Sequence, residues 1–344
     1  MALVADTARA PSAGWLRSRD FDLLLICGLT AVSLAAGGLI AMMPAALGLI
    51  LLADNWLLGY PHVTATFVRM APDKRGLNTH RFLLFGLPLL VVGATAGLAL
   101  GFGIALVATI YFYWQWYHTL RQSWGVSQLY RRKSGVPVRE HPLFTEGLFS
   151  LVALWGLLHR LTTAQDYFIY PTLPLWVPQV PALLADGVGA VAIAGLCWWG
   201  ISRVRDAMAG ELPVAHTLFS ASHYLIFIVG YVVMDNVAGG WVVTNIWHTA
   251  QYLMLVWMFN QNAVAKAPAE GWFFRFTQRN RAPLYFLLCL SVAFPVYYVV
   301  NNAFFWGTSG LILAVIANQT LNFHHFIVDA VIWRQKRKPA GAPA

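Results

Sequence analysis

Six of the ten histidines stand inside apolar runs. His62 lies in NWLLGYPHVTATF, His118 in YFYWQWYHTLRQSWG, His223 in LFSASHYLIF and His248 in TNIWHTAQYLML; His324 and His325 are adjacent in LNFHHFIVD. Neutral imidazole is the commonest metal-ligating side chain, and a ligating histidine usually gives its other ring N–H to an oxygen acceptor that fixes its tautomer. Oxygen-bearing side chains recur at helical spacing beside these histidines. Gln115 and Gln122 are at i−3 and i+4 from His118, Asn245 and Gln251 at i−3 and i+3 from His248, and Asp329 at i+4 from His325. Asn55 is two turns before His62, beside Asp54, and Asn318, Gln319 and Asn322 precede the HH pair. The expected metal ligands are therefore His62, His118, His223, His248, His324 and His325. Asn55, Gln115, Gln122, Asn245, Gln251 and Asp329 are expected to orient them. The same amides and acid could instead only bridge helices, at about 1 kcal/mol or less each. Neighbouring helical residues point about 100° apart, so the HH pair need not share an ion. Asp329 favours His325 as ligand and leaves His324 as a further ligand or a supporting donor. The other four histidines, His80, His141, His159 and His216, read as ordinary loop or interfacial residues.

A centre of imidazole with no recurring carboxylate suits iron or copper. Cys27, Cys197 and Cys289 lie in separate apolar runs, and their spacing fits neither a disulfide framework nor a zinc site. No G-x-S-x-G elbow, GxGxxG or GxxxxGK[ST] occurs, so Ser–His–Asp hydrolysis and nucleotide chemistry have no handle. Aromatic runs such as YFYWQWY and YLMLVWMF are accounted for by packing and interface belts, or by a cavity for a long apolar or conjugated substrate. YHTLRQ, WHTAQY and HHFIVD form a weak internal repeat, with PHVTAT a poorer fourth copy. A duplicated four-helix half would produce such a pattern.

The elements that carry these residues are greasy. Of 344 residues, 58% are hydrophobic and 11% charged, with mean hydropathy +0.59. A soluble domain would carry about 25% charged residues. The expected fold class is an all-α polytopic transmembrane bundle with about ten spans near 21–43, 46–69, 82–101, 104–130, 144–162, 183–203, 214–234, 240–261, 284–303 and 308–333. Basic residues collect in alternate loops, for example Arg69, Lys74, Arg75 and Arg81, or Arg131, Arg132, Lys133 and Arg139. The intervening loops are nearly uncharged, and GFG at 101–103 reads as a turn. This places both termini on the cytoplasmic side, with a tail at 1–20, a bundle at 21–334 and a basic tail at 335–344. The first twenty residues have no apolar core of a signal peptide. The net charge of +9 then belongs to cytoplasmic loops rather than to nucleic-acid binding. The Pro-rich YPTLPLWVPQVP at 170–181 is expected outside, along the interface. The location implied is a bacterial inner membrane.

In the ten-span frame His62 lies seven residues before Arg69, and His324 ten before Arg334. At about 1.5 Å per residue both sit roughly 10–15 Å from the inner face, and His118, His223 and His248 reach similar depths. Polar groups at such depth normally face the bundle interior and mark function. Polytopic sequences with YH-type motifs and a late HH followed by Asp resemble the Brp/Blh group of membrane β-carotene dioxygenases. That resemblance implies an all-helical fold, a non-haem iron held by His62, His118, His248 and the His324/His325 pair, and O2-dependent cleavage of a carotenoid. The desaturase boxes HxxxH and HxxHH are absent; only the HH doublet is shared. The leading expectation is an integral-membrane non-haem iron oxygenase or redox enzyme acting on an isoprenoid or lipid. Its partners would be membrane lipid, the apolar substrate, O2 and an electron donor. Two alternatives stay open: a haem b electron-transfer protein, with copper a further metal option, and an intramembrane metal or proton transporter.

Overall fold

The computed structural model describes residues 14–70, 74–163, 167, 174–266, 281–303 and 306–333. Among them the regular structure is all helix, without a strand. Ten long helices follow one another: α1 Arg19–Met42, α2 46–70, α3 Phe82–Phe102, α4 Ile104–Lys133, α5 Pro142–Leu161, α6 Ala182–Met208, α7 Val214–Val233, α8 Val237–Lys266, α9 Ala282–Ala303 and α10 Gly307–Ile332. A short helix, Lys74–Thr79, lies between α2 and α3.

Seven of these are long and apolar enough to cross a membrane: α1, α3, α5, α6, α7, α9 and α10. The remaining three, α2, α4 and α8, carry His62, His118 and His248 with their polar neighbours. The side chains that suggested chemistry are thus also what dilutes the apolar signal. Four π-helical turns interrupt the α-helices, at Leu24–Gly28, Asn55–Gly59, Phe82–Gly86 and Val229–Val233; such turns are frequent at functional sites. The expected turn at GFG is present, with Gly103 at φ 92° between α3 and α4, a backbone conformation glycine adopts without a Cβ clash. The helix ends differ from expectation: α4, α6 and α8 run on to Lys133, Met208 and Lys266. α4 continues through Arg121, whose guanidinium pairs with Glu146 at 2.7 Å.

The chain divides into two compact units. The first comprises 1–54, 116–171 and 177–251: α1, the start of α2, the later part of α4, α5, α6, α7 and the first half of α8. Here α5 packs on α6 and α7, and α7 on α1. Asp22 accepts from the backbone N–H groups of Leu16, Arg17 and Ser18 and from the Tyr130 hydroxyl at 2.6 Å, which ties the chain entry to α4. Gly230 and Gly240 let α7 and α8 approach closely; a Cβ on Gly240 would lie 1.8 Å from the Gly230 carbonyl oxygen. Arg160 donates to the carbonyls of Gly230 and Asp235 at 3.1 and 2.9 Å. Arg203 is buried in the last turns of α6 and pairs with Asp206 at 2.7 Å and with Glu140.

The second unit comprises 55–115, 172–176 and 252–344: the rest of α2, α3, the start of α4, the second half of α8, α9 and α10. Here α10 packs on α3, α9 and α2, and α9 also packs on α2. Its core joins Val91 and Ala99 of α3, Val107 of α4, and Val315, Ile316, Phe323 and Phe326 of α10. Trp114 stacks on Phe323 with ring centroids 5.3 Å apart. Tyr60 stacks on Tyr297 at 3.7 Å and donates to Asn301 at 3.1 Å. Of the Pro-rich segment, 170–173 lie outside the described residues. Trp176 is pinned to α4, its N–H donating to Thr109 at 2.8 Å and its carbonyl accepting from Tyr113 at 3.2 Å.

Candidate metal centre

In the second unit, α2 and α10 bring two buried imidazoles face to face. His62 Nε2 and His325 Nε2 are 2.8 Å apart, their ring centroids 4.4 Å apart with planes at 68°. Both are among the residues whose ligand atoms could hold a metal ion. Two nitrogens bound side by side on one ion at about 2.1 Å each would be about 3 Å apart at a right angle, so the observed spacing needs only a small shift. Behind His325 runs a chain of hydroxyls. Its Nδ1 is 2.7 Å from Thr66 Oγ1, which is 2.8 Å from the Tyr252 hydroxyl and 3.4 Å from Asp329 Oδ1. Tyr252 in turn donates to Asp329 Oδ1 at 2.5 Å.

Tyr252 thus donates to the acid, and Thr66 Oγ1 lies between Asp329 Oδ1 and His325 Nδ1. The arrangement is the ligand-and-orienter pattern of metal-bound histidine, lengthened by one hydroxyl. Asp329 was expected to accept from His325 directly. Its Oδ2 is 3.9 Å from His325 Nε2, and the link runs through Thr66 instead.

His324 goes elsewhere. Its Nε2 is 2.6 Å from the carbonyl oxygen of Leu83, inside the π turn Phe82–Gly86 of α3, and its ring stacks on Phe67 at 4.9 Å. The roughly 100° between neighbours on a helix thus splits the HH pair, with His325 facing α2 and His324 clamping α3. Asn55 sits half-buried in the π turn Asn55–Gly59 and makes no side-chain hydrogen bond among the described residues. Gln115 is buried in α4.

The first unit holds a second pair. His118 of α4 and His248 of α8 are both buried, with ring centroids 5.0 Å apart and planes at 85°. Gln122, expected to orient His118, donates to the backbone carbonyl of His248 at 3.0 Å. Asn245 donates to Asp54 Oδ2 at 2.7 Å. Gln251 is fully buried, and its amide has no hydrogen-bond partner among the described residues. His223 was expected to ligate, yet both of its ring nitrogens are engaged: Nδ1 with Ser123 Oγ at 2.9 Å and Nε2 with the Phe149 carbonyl at 3.2 Å. It also stacks on Phe149 at 4.1 Å, as a satisfied core histidine does. His216, read as interfacial, is buried, with Nε2 3.4 Å from Ser127 Oγ. His141 caps α5, accepting from the Leu143 N–H.

Two residues of the centre were missed. Thr66 had a usable signal, since it stands at i+4 from His62 in HVTAT. Tyr252 was absorbed into the aromatic run YLMLVWMF. PHVTAT pairs with HHFIVD in the second unit, and YHTLRQ with WHTAQY in the first. No family model, curated protein or solved structure matches the chain.

Proposed function

We propose that this is an integral-membrane redox enzyme with a histidine-held, non-haem metal centre. Iron is the favoured metal, and the reaction is oxygen-dependent oxidation of an apolar isoprenoid or lipid. The observation that carries the reading is the His62–His325 pair, with Nε2 atoms 2.8 Å apart and His325 oriented through Thr66 toward Asp329. A buried imidazole pair backed by an acid is costly to place among apolar helices, and such groups mark function. His118 and His248 are the proposed ligands of the first unit. His223 and His324 are structural in this reading, because their ring nitrogens serve helix-to-helix bonds.

The spacing also favours non-haem metal over haem. With their Nε2 atoms 2.8 Å apart, His62 and His325 leave no room for a porphyrin between them. Iron would supply O2 activation, and the chain's own residues would hold it, fix the imidazole tautomer and exclude water. The resemblance to the Brp/Blh group points the same way and makes a conjugated isoprenoid the first substrate to try. In this reading all ten long helices span the inner membrane of a bacterium, with both termini cytoplasmic, and substrate enters sideways from the bilayer.

Metal analysis of His62→Ala and His325→Ala tests the reading. Each is expected to lose most bound metal, while His141→Ala keeps it. Full metal in both variants would remove the pair from the site.

A further inference from the structure

The phenol of Tyr252 is built for more than orientation. It is fully buried, its hydroxyl donates to Asp329 Oδ1 at 2.5 Å, and its ring is edge-on to His62 with centroids 4.4 Å apart. The bond places the phenolic proton directly against a carboxyl oxygen. A phenol resists one-electron oxidation because the cation it forms is a very strong acid. A carboxylate already at hydrogen-bond distance removes that obstacle by taking the proton as the electron leaves. Orientation of His325 does not need the phenol, since Thr66 alone contacts both His325 Nδ1 and Asp329.

A second aromatic extends the line. Trp333, directly after α10, lies 6.2 Å from Tyr252 between ring centroids, and Phe259 packs on it at 5.0 Å. The Arg69 guanidinium sits 4.7 Å over the Trp333 ring. Trp333 is only half-buried, while Tyr252 is enclosed, so the pair leads from the end of α10 to the imidazoles. A cation over the indole makes Trp333 harder to oxidise than it would otherwise be, so Tyr252 is the place where an electron hole comes to rest.

We propose that Tyr252 is a redox-active tyrosine, with Asp329 its proton acceptor and Trp333 its connection toward the protein surface. The proposal rests on the metal-centre reading above. In the step, Tyr252 would lose one electron to the oxidised metal ion that His62 and His325 would hold. The phenolic O–H breaks, its proton goes to Asp329 as a carboxylic acid, and a neutral tyrosyl radical remains. An electron from an external one-electron donor, passed by way of Trp333, reduces the radical, and the proton returns from Asp329 to the phenol.

The test is electron paramagnetic resonance on metal-loaded protein in mild detergent, frozen after exposure to O2 or hydrogen peroxide, with metal content measured on the same samples. Ring-deuterated tyrosine identifies the signal. Wild type is expected to show a tyrosyl radical that narrows on deuteration. Tyr252→Phe is expected to lose it at least tenfold while keeping most of its metal. Asp329→Asn, which removes the proton acceptor, is expected to lower the radical yield per bound metal at least tenfold. Trp333→Phe is expected to keep the radical and slow its reduction by an added donor. Wild-type protein that binds metal but gives no tyrosyl signal, or gives one unchanged in Tyr252→Phe, overturns this proposal alone. Wild-type protein with no bound metal overturns the metal-centre reading and this proposal with it.

Discussion

At the scale of single residues, the centre depends on a hydroxyl that relays between an imidazole and an acid. Thr66 Oγ1 is 2.7 Å from His325 Nδ1 and 3.4 Å from Asp329 Oδ1. Thr66→Val keeps the volume and removes the relay. It is expected to weaken metal binding about 10–100-fold, the usual cost of losing an orienting partner, and Thr66→Ser is expected to restore most of it. Metal titration against a chelator checks both. His324→Gln should leave the metal content unchanged, because a side-chain amide can still donate to the Leu83 carbonyl; equal losses in His324→Gln and His325→Ala would show that the two histidines are not divided as described. The sequence makes the histidines, Asp329 and their spacing visible. It does not show which of two adjacent imidazoles faces which helix, since that depends on how α10 is rotated against α2 and α3. Nor does it show that His223 is spent on Ser123 and Phe149, since those partners come from other helices.

At the scale of elements, the ten helices are legible because each is a long apolar run bounded by basic or turn-forming residues. Their ends are not, because the last turns of α4, α6 and α8 carry charge that reads as loop while the helix continues. Arg203 shows the reason: α6 extends past it, and Asp206 and Glu140 neutralise it in place. The contact of α7 with α8 is likewise invisible in composition. It depends on Gly230 and Gly240, where any Cβ collides with the facing backbone. Gly240→Ala is expected to destabilise by about 1–3 kcal/mol, as overpacking does, seen as a lower melting temperature in detergent. Gly38→Ala, in α1 with open space around its Cβ position, is expected to be neutral or stabilising by up to about 1 kcal/mol.

At the scale of the whole molecule, low charge and long apolar runs announce a membrane protein, and seven helices meet that description on length and composition alone. The proposed ten spans follow from adding α2, α4 and α8, whose hydropathy is lowered by the histidines and amides they carry. This topology is checked by reporter fusions after α5 and after α10. The fusion at 165 should report the outside, and one at 335 the cytoplasm, as alternate basic loops require; a cytoplasmic signal at 165 would break the ten-span arrangement. Each unit pairs one histidine helix from the first half of the chain with one from the second, which is how four short motifs spread over more than 260 residues come to form two close pairs. The most direct measurement of the account is metal content and absorption spectrum taken together on purified protein in mild detergent, for wild type and His325→Ala. The account predicts bound iron without a Soret band in wild type, and most of that iron lost in His325→Ala. A Soret band with reducible α-bands, or iron retained in full by His325→Ala, would contradict it.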